Sequence, residues 1–173
     1  MKMTTMVLMM GISATAGGAS ALQSVAPHND IVSGRRAAFS LSAVAVNSIK
    51  SGIEANAPLQ SQGFAVGALR KWSHALPGLF PAGTSVANLP GATAAKPEIW
   101  TDRAGFEAKA ADYASAVDRL AQLAQANDVE GFNAQFTVVR TSCGSCHEVY
   151  RVEQPRPQGG RGSALPAGTP PRG

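Results

Sequence analysis

Cys143-Gly144-Ser145-Cys146-His147, set in the run Phe132 to Arg151, is the stretch from which this chain is read. It has the form C-x-x-C-H and holds both cysteines of the 173-residue sequence. That pattern is the attachment site of a c-type haem: two thiols form thioethers with the porphyrin, and the adjoining imidazole ligates the iron. Positions three apart share one face of a helix, so both sulfurs meet one edge of the ring. A redox dithiol would want a βαβ context, which the sequence does not offer. Zinc would need two further ligands, and besides carboxylates only His28 and His74 are left.

Working outward, the apolar spacing is helical throughout. Phe132, Phe136, Val139, Cys143, Cys146 and Tyr150 form one stripe of a helix predicted from about Val129 to Arg151. Asn127 to Glu130 resembles a capping box, with the acid three residues after Asn127. Upstream, Phe106, Ala110, Tyr113, Val117, Leu120 and Ala124 predict a helix capped by Thr101 or Asp102 and running to about Ala126. Asp112, Asp118 and Arg119 fall off that stripe and read as a solvated face. A helix over Ser61–Leu76 carries Val66, Leu69, Ser73 and Leu76, with Trp72 beside them. The first, Asp30 to about Ala55, has a seam of Val32, Arg35, Phe39, Ser42, Val46, Ile49 and Ile53, polar only at Arg35 and Ser42. Residues 77–97, rich in Pro and Gly, read as a long covering loop. The expected fold class is all-α: an up-down-up-down four-helix bundle with covalently bound haem c.

The ends differ from this body. Residues 1–21 have the form of a secretory signal peptide, with Lys2, an apolar core Met3–Ile12 and an Ala19-Ser20-Ala21 cleavage site. The apolar run is too short to span a bilayer, which speaks against an uncleaved anchor. A periplasmic address is expected, and a covalent haem agrees with it. Residues 22–152 form the body, and 153–173 a Pro/Gly-rich tail expected to be disordered, with a polyproline-type docking segment as the alternative. The +4 net charge is misleading. Residues 22–151 carry eleven Lys and Arg against ten Asp and Glu, and the excess lies in Lys2 and the tail arginines. No nucleic-acid surface is indicated for the body, and no membrane association after signal cleavage.

Iron on a c-type haem commonly takes Met as its second ligand. All five methionines lie within residues 1–10, so cleavage would leave none. His28 and His74 remain as alternatives for a low-spin electron carrier. Otherwise the iron is held on one side only and is open to a diatomic gas.

Taken together, Arg35 with Phe39 four residues on, Ala75-Leu76-Pro77, Pro97-Glu98-Ile99-Trp100, and Cys143 to His147 with Tyr150-Arg151 resemble the cytochrome c′ family, the class II c-type cytochromes. The similarity runs from about Ile31 to Arg151. It implies that Phe39 faces the vacant side of a five-coordinate, high-spin haem, where low-spin relatives carry Met. It implies that Arg35 pairs with a haem propionate, that Trp100 packs near the haem, and that Arg151 borders the proximal ligand His147. The role of Arg36 stays open. The resemblance also implies a homodimer through the first two helices, for which Ala43 and Ala45 leave room.

The expected function is a non-enzymatic cytochrome that binds NO and CO and exchanges electrons with a redox partner. A peroxidase is disfavoured, since the distal seam offers no acid–base group, only Phe39 and Ser42. Replacing His147 should alter the iron's coordination, read directly in the visible spectrum; an unaltered spectrum would remove it as ligand.

Overall fold

The computed structural model describes residues 28–153. Helix α1 spans His28–Glu54, α2 Gly63–Ala75, the single turn α3 Glu98–Thr101, α4 Arg103–Gln125 and α5 Val129–Tyr150. Single 3-10 turns, Leu59–Gln62 and Leu76–Leu79, flank α2. Among the described residues there is no β-strand, only one isolated antiparallel bridge, Ala95 to Arg151. Helix α1 packs on α2, α2 on α4, and α4 on α5. With short α1–α2 and α4–α5 connections, neighbours run antiparallel, as the up-down-up-down expectation requires. The signal-peptide and tail expectations lie outside the described residues, apart from the tail's first residue, Glu153.

The predicted seams are the ones that face inward. Val66, Leu69, Ser73 and Leu76 are buried, as are Phe106, Ala110, Tyr113, Val117 and Leu120. Phe132, Phe136, Val139 and Tyr150 line the core from α5, while Ala124, Cys143 and Cys146 pack against it half-covered. A fully covered large apolar side chain contributes roughly 1.5–3 kcal/mol; Phe106, Phe132, Leu69 and Leu120 are of this kind.

Helix starts follow side-chain capping. The Asp102 carboxylate accepts from Gly105 N at 3.2 Å. At α5 the cap is Asp128, accepting from Gly131 N at 2.9 Å. This corrects the capping-box reading centred on Asn127, which instead takes a left-handed φ of 55° just after α4. A short Asp side chain reaches the free N–H groups directly, and such caps contribute about 1 kcal/mol.

A second correction concerns Asp118, read as merely solvated. It accepts from Arg70 Nε at 2.7 Å and lies 3.0 Å from His74 Nε2, tying α2 to α4. These contacts hold its carboxyl below the usual carboxylate range, led by the Arg70 hydrogen bond. Both Arg70 and His74 are more than half exposed, so solvent screens the linkage.

The start of α4 is joined to the end of α5 by Tyr150, which donates to Asp102 Oδ2 at 2.7 Å. Its ring meets Phe106 edge-on at 5.5 Å. Tyr150→Phe should lower stability by about 1.5 kcal/mol, the low end for a hydrogen bond to a charged group, because Asp102 is exposed. Chemical denaturation of the wild type and variant checks this; equal midpoints would mean that the Asp102 contact is immaterial.

Candidate functional site

The C-x-x-C-H motif lies in the last two turns of α5. Cys143, Cys146 and His147 are each half-buried, and His147 faces the seam between α5 and α1. From α1, Phe39 reaches across this seam. Its ring centroid is 6.3 Å from that of His147, at 61° between planes. It also meets Trp72 edge-on at 4.7 Å and Phe80 at 6.4 Å. The structure thus brings Phe39 and His147 together across this seam.

The chemistry of the motif is legible in its surroundings. Burial pushes both thiols above their ordinary pKa. Cys143 Sγ lies 3.3 Å from Val139 O, a local helix contact. Reactive redox dithiols have depressed pKa values, so this environment does not suit one. Burial, together with the nearby Arg151 cation, holds the His147 imidazole below its ordinary value. It is therefore neutral near pH 7, which is the ligating form. Among the described residues no group of three His, Cys, Asp or Glu is placed to hold a metal ion, so the zinc reading lacks its further ligands.

Arg35 has the most confined charge in the site. It is only 2% exposed. Nη1 donates to Leu79 O and Thr84 Oγ1, both at 3.1 Å. Nη2 donates to Thr84 O at 3.0 Å and to Thr93 Oγ1 at 2.8 Å. The guanidinium carbon stands 4.3 Å from the centre of the Phe80 ring. The loop residues 77–97 therefore fold over α1 and hold the cation from above, which rules out a side chain extended to solvent. No carboxylate of the described residues pairs with it, and burial lowers its pKa to about 10. Sequence reasoning missed Leu79, Thr84 and Thr93 as partners, because an aperiodic loop gives no spacing by which to find them.

Trp100 packs against the covering loop beside Phe80. Its Nε1–H is shared between Phe80 O and Pro81 O, each at 3.1 Å, and its ring lies 6.3 Å from Phe80. Arg151 follows α5 directly, its N–H bonded to His147 O at 3.1 Å, with an exposed side chain. Arg36 is exposed and donates to Ala92 O at 3.1 Å. The two alternative ligands are placed elsewhere: His74 is engaged at Asp118, and His28 lies against Gly83 at the start of α1.

These residues fit a haem on three counts. Two half-buried sulfurs and a neutral imidazole share one face of α5. Phe39, Trp72 and Phe80 set an apolar aromatic wall beside that imidazole, as a porphyrin requires. Finally, Arg35 is a buried cation lacking an anionic partner, which a propionate would supply.

Comparison with known proteins agrees. Residues 30–151 match the family described as Cytochrome C'. A cytochrome c′ of Alcaligenes xylosoxydans xylosoxydans is 37% identical over 60 residues, covering 35% of this chain and 47% of that protein. A cytochrome c-556 of Rhodopseudomonas palustris is 35% identical over 82 residues, covering 46% of this chain and 52% of the relative. The aligned segments thus span about half the length of these curated relatives. Among solved structures, a nitric oxide complex of a mutant cytochrome c prime from Alcaligenes xylosoxidans superimposes with a TM-score of 0.66 at 31% identity, covering 75% of this chain and 98% of that one. Cytochrome c′ from Rhodobacter Spheriodes gives 0.66 at 30% identity, covering 75% and 100%.

Arg35→Leu should destabilise the protein by about 3 kcal/mol or more, since four acceptors under the loop lose their donors at once. Urea unfolding of the holo-protein checks this. An unchanged midpoint would mean that the loop is held without Arg35.

Proposed function

Because the chain belongs to the cytochrome c′ family, we propose that it carries one haem c, covalently bound through Cys143 and Cys146, with His147 as the sole protein ligand to iron. The observation that supports this reading is Phe39 beside His147 across the α1–α5 seam, its ring 6.3 Å from the imidazole. A phenyl group has no lone pair to offer iron. Haem c held by these residues would supply an iron able to take a diatomic ligand and to exchange single electrons.

The chain's own residues shape that chemistry. His147, held neutral, presents its ring nitrogen without first losing a proton. Phe39, wedged between Trp72 and Phe80, has little freedom to swing away. It crowds the open side, so compact NO is admitted more readily than bulkier ligands, and water is kept out. Arg35 neutralises a propionate inside the fold, and its loop partners fix its direction. Arg151 and Trp100 border the site: Arg151 through its charge near His147, Trp100 by bracing Phe80.

The protein therefore binds and buffers or carries NO, and exchanges electrons with a redox partner, without turnover of its own. The nitric oxide complex among its structural neighbours supports this. The location is periplasmic, reached through cleavage of residues 1–21. Assembly is a homodimer through α1 and α2, supported by Leu41, Val44 and Phe64, which are 69%, 64% and 90% exposed. Of the two alanines thought to leave room, Ala43 is exposed, whereas Ala45 is buried within the protomer and serves no interface.

The decisive measurement is the visible spectrum of the reduced protein with and without NO and CO. A five-coordinate spectrum that changes on adding gas is expected; strong, sharp α and β bands indifferent to gas would overturn the reading. Phe39→Met should give a six-coordinate, low-spin haem. Phe39→Ala should raise CO affinity, and equal affinity would show that the ring does not crowd the open side.

A further inference from the structure

At the opposite end of the bundle the α1–α2 and α4–α5 connections meet around a cleft of about 270 Å³. Asn133 on its wall lies fourteen residues before His147 on α5, about 21 Å along the helix axis. The cleft is thus separate from the haem site. Its walls carry five carboxamides, those of Asn56, Gln60, Gln62, Asn127 and Asn133, and no charged side chain. Its accessible apolar lining includes Ile53, Ala57, Pro58 and Val129.

Gln62 is the informative residue. It is only 4% exposed, an unusual position for a primary amide. Room for it exists because residue 52 is glycine: a Cβ there would coincide with the Gln62 carboxamide. Gln60 Nε2 and Asn127 Oδ1 bond one another at 3.3 Å. The Gln62 carboxamide takes no hydrogen-bond partner among the described residues, yet no polar side-chain atom is sealed away unsatisfied. Its amide atoms therefore keep a small accessible surface, at the wall of the cleft.

We propose that this cleft binds a small, uncharged, polyhydroxylated ligand the size of one monosaccharide ring. Each carboxamide pairs a donor with an acceptor, and each sugar hydroxyl is both at once. The apolar lining suits the C–H face of a ring. With no Lys, Arg, Asp or Glu on the wall, a phosphate or carboxylate would find no charged side chain to pair with there. The volume lies just under the roughly 300 Å³ at which drug-sized pockets begin, which suits one ring rather than two.

The test is saturation-transfer NMR on the full-length holo-protein with D-glucose and N-acetyl-D-glucosamine, and with gluconate and glucose 6-phosphate as charged counterparts. Saturable binding of at least one neutral sugar is expected, with the charged ones bound at least fivefold more weakly. Gln62→Leu and Asn133→Leu should each weaken binding tenfold or more and leave the haem spectrum unchanged. Should Gln62→Leu fail to fold, Asn133→Leu, at an exposed position near the start of α5, carries the test alone. Absence of saturable binding to both neutral sugars, equal binding of charged and neutral probes, or undiminished binding by Asn133→Leu would each overturn the proposal.

Discussion

A guanidinium buried beside an aromatic ring is the constraint around which this bundle is arranged. Arg35 occupies a seam position where apolar side chains otherwise stand, and a charge there must be satisfied locally. The long segment between α2 and α3 meets that demand. It lays Leu79 O, Thr84 and Thr93 over the cation and sets Phe80 beneath it. Phe80 in turn touches Phe39, Trp100 and Phe106, so the aromatic cluster around the motif is continuous with the Arg35 clamp. A loop that looks unstructured in composition is thus pinned to three helices.

The same arrangement connects fold to chemistry. Helix α5 is anchored at both ends, by the Asp128 cap and by Tyr150 on Asp102, with its motif between them. Helix α1 presents Phe39 to that motif one turn after Arg35. The two sides of the seam are therefore placed by interactions that lie outside it. This suits a site whose two sides must keep their spacing.

Much of this was legible in the sequence, for identifiable reasons. Helix limits and inward faces follow from apolar spacing, and the four long helices lie within about two residues of their expected bounds. The family likeness sets Phe39 on the side facing the motif, and its ring lies 6.3 Å from that of His147. Contacts set by tertiary geometry were not legible. The hydroxyls that hold Arg35 lie 49 and 58 residues away in a stretch with no period. Asp118 looked like any solvated acid, because its partners stand on another helix. The pairing of Gly52 with Gln62 was hidden too, since a glycine in a helix ordinarily signals weakness rather than a place made for a neighbour.

The chain leaves α5 through a backbone latch: Lys96 N–H donates to Tyr150 O at 3.0 Å, and Val152 N–H to Ala94 O at 2.8 Å. Main-chain groups make this fastening, so it does not depend on which side chains stand there. Evolution can therefore rewrite these positions widely without loosening the join. Proline is the exception at positions 96 and 152, because it brings no N–H to donate. Divergence along this strand of chain should accordingly be broad in chemistry and narrow in backbone shape.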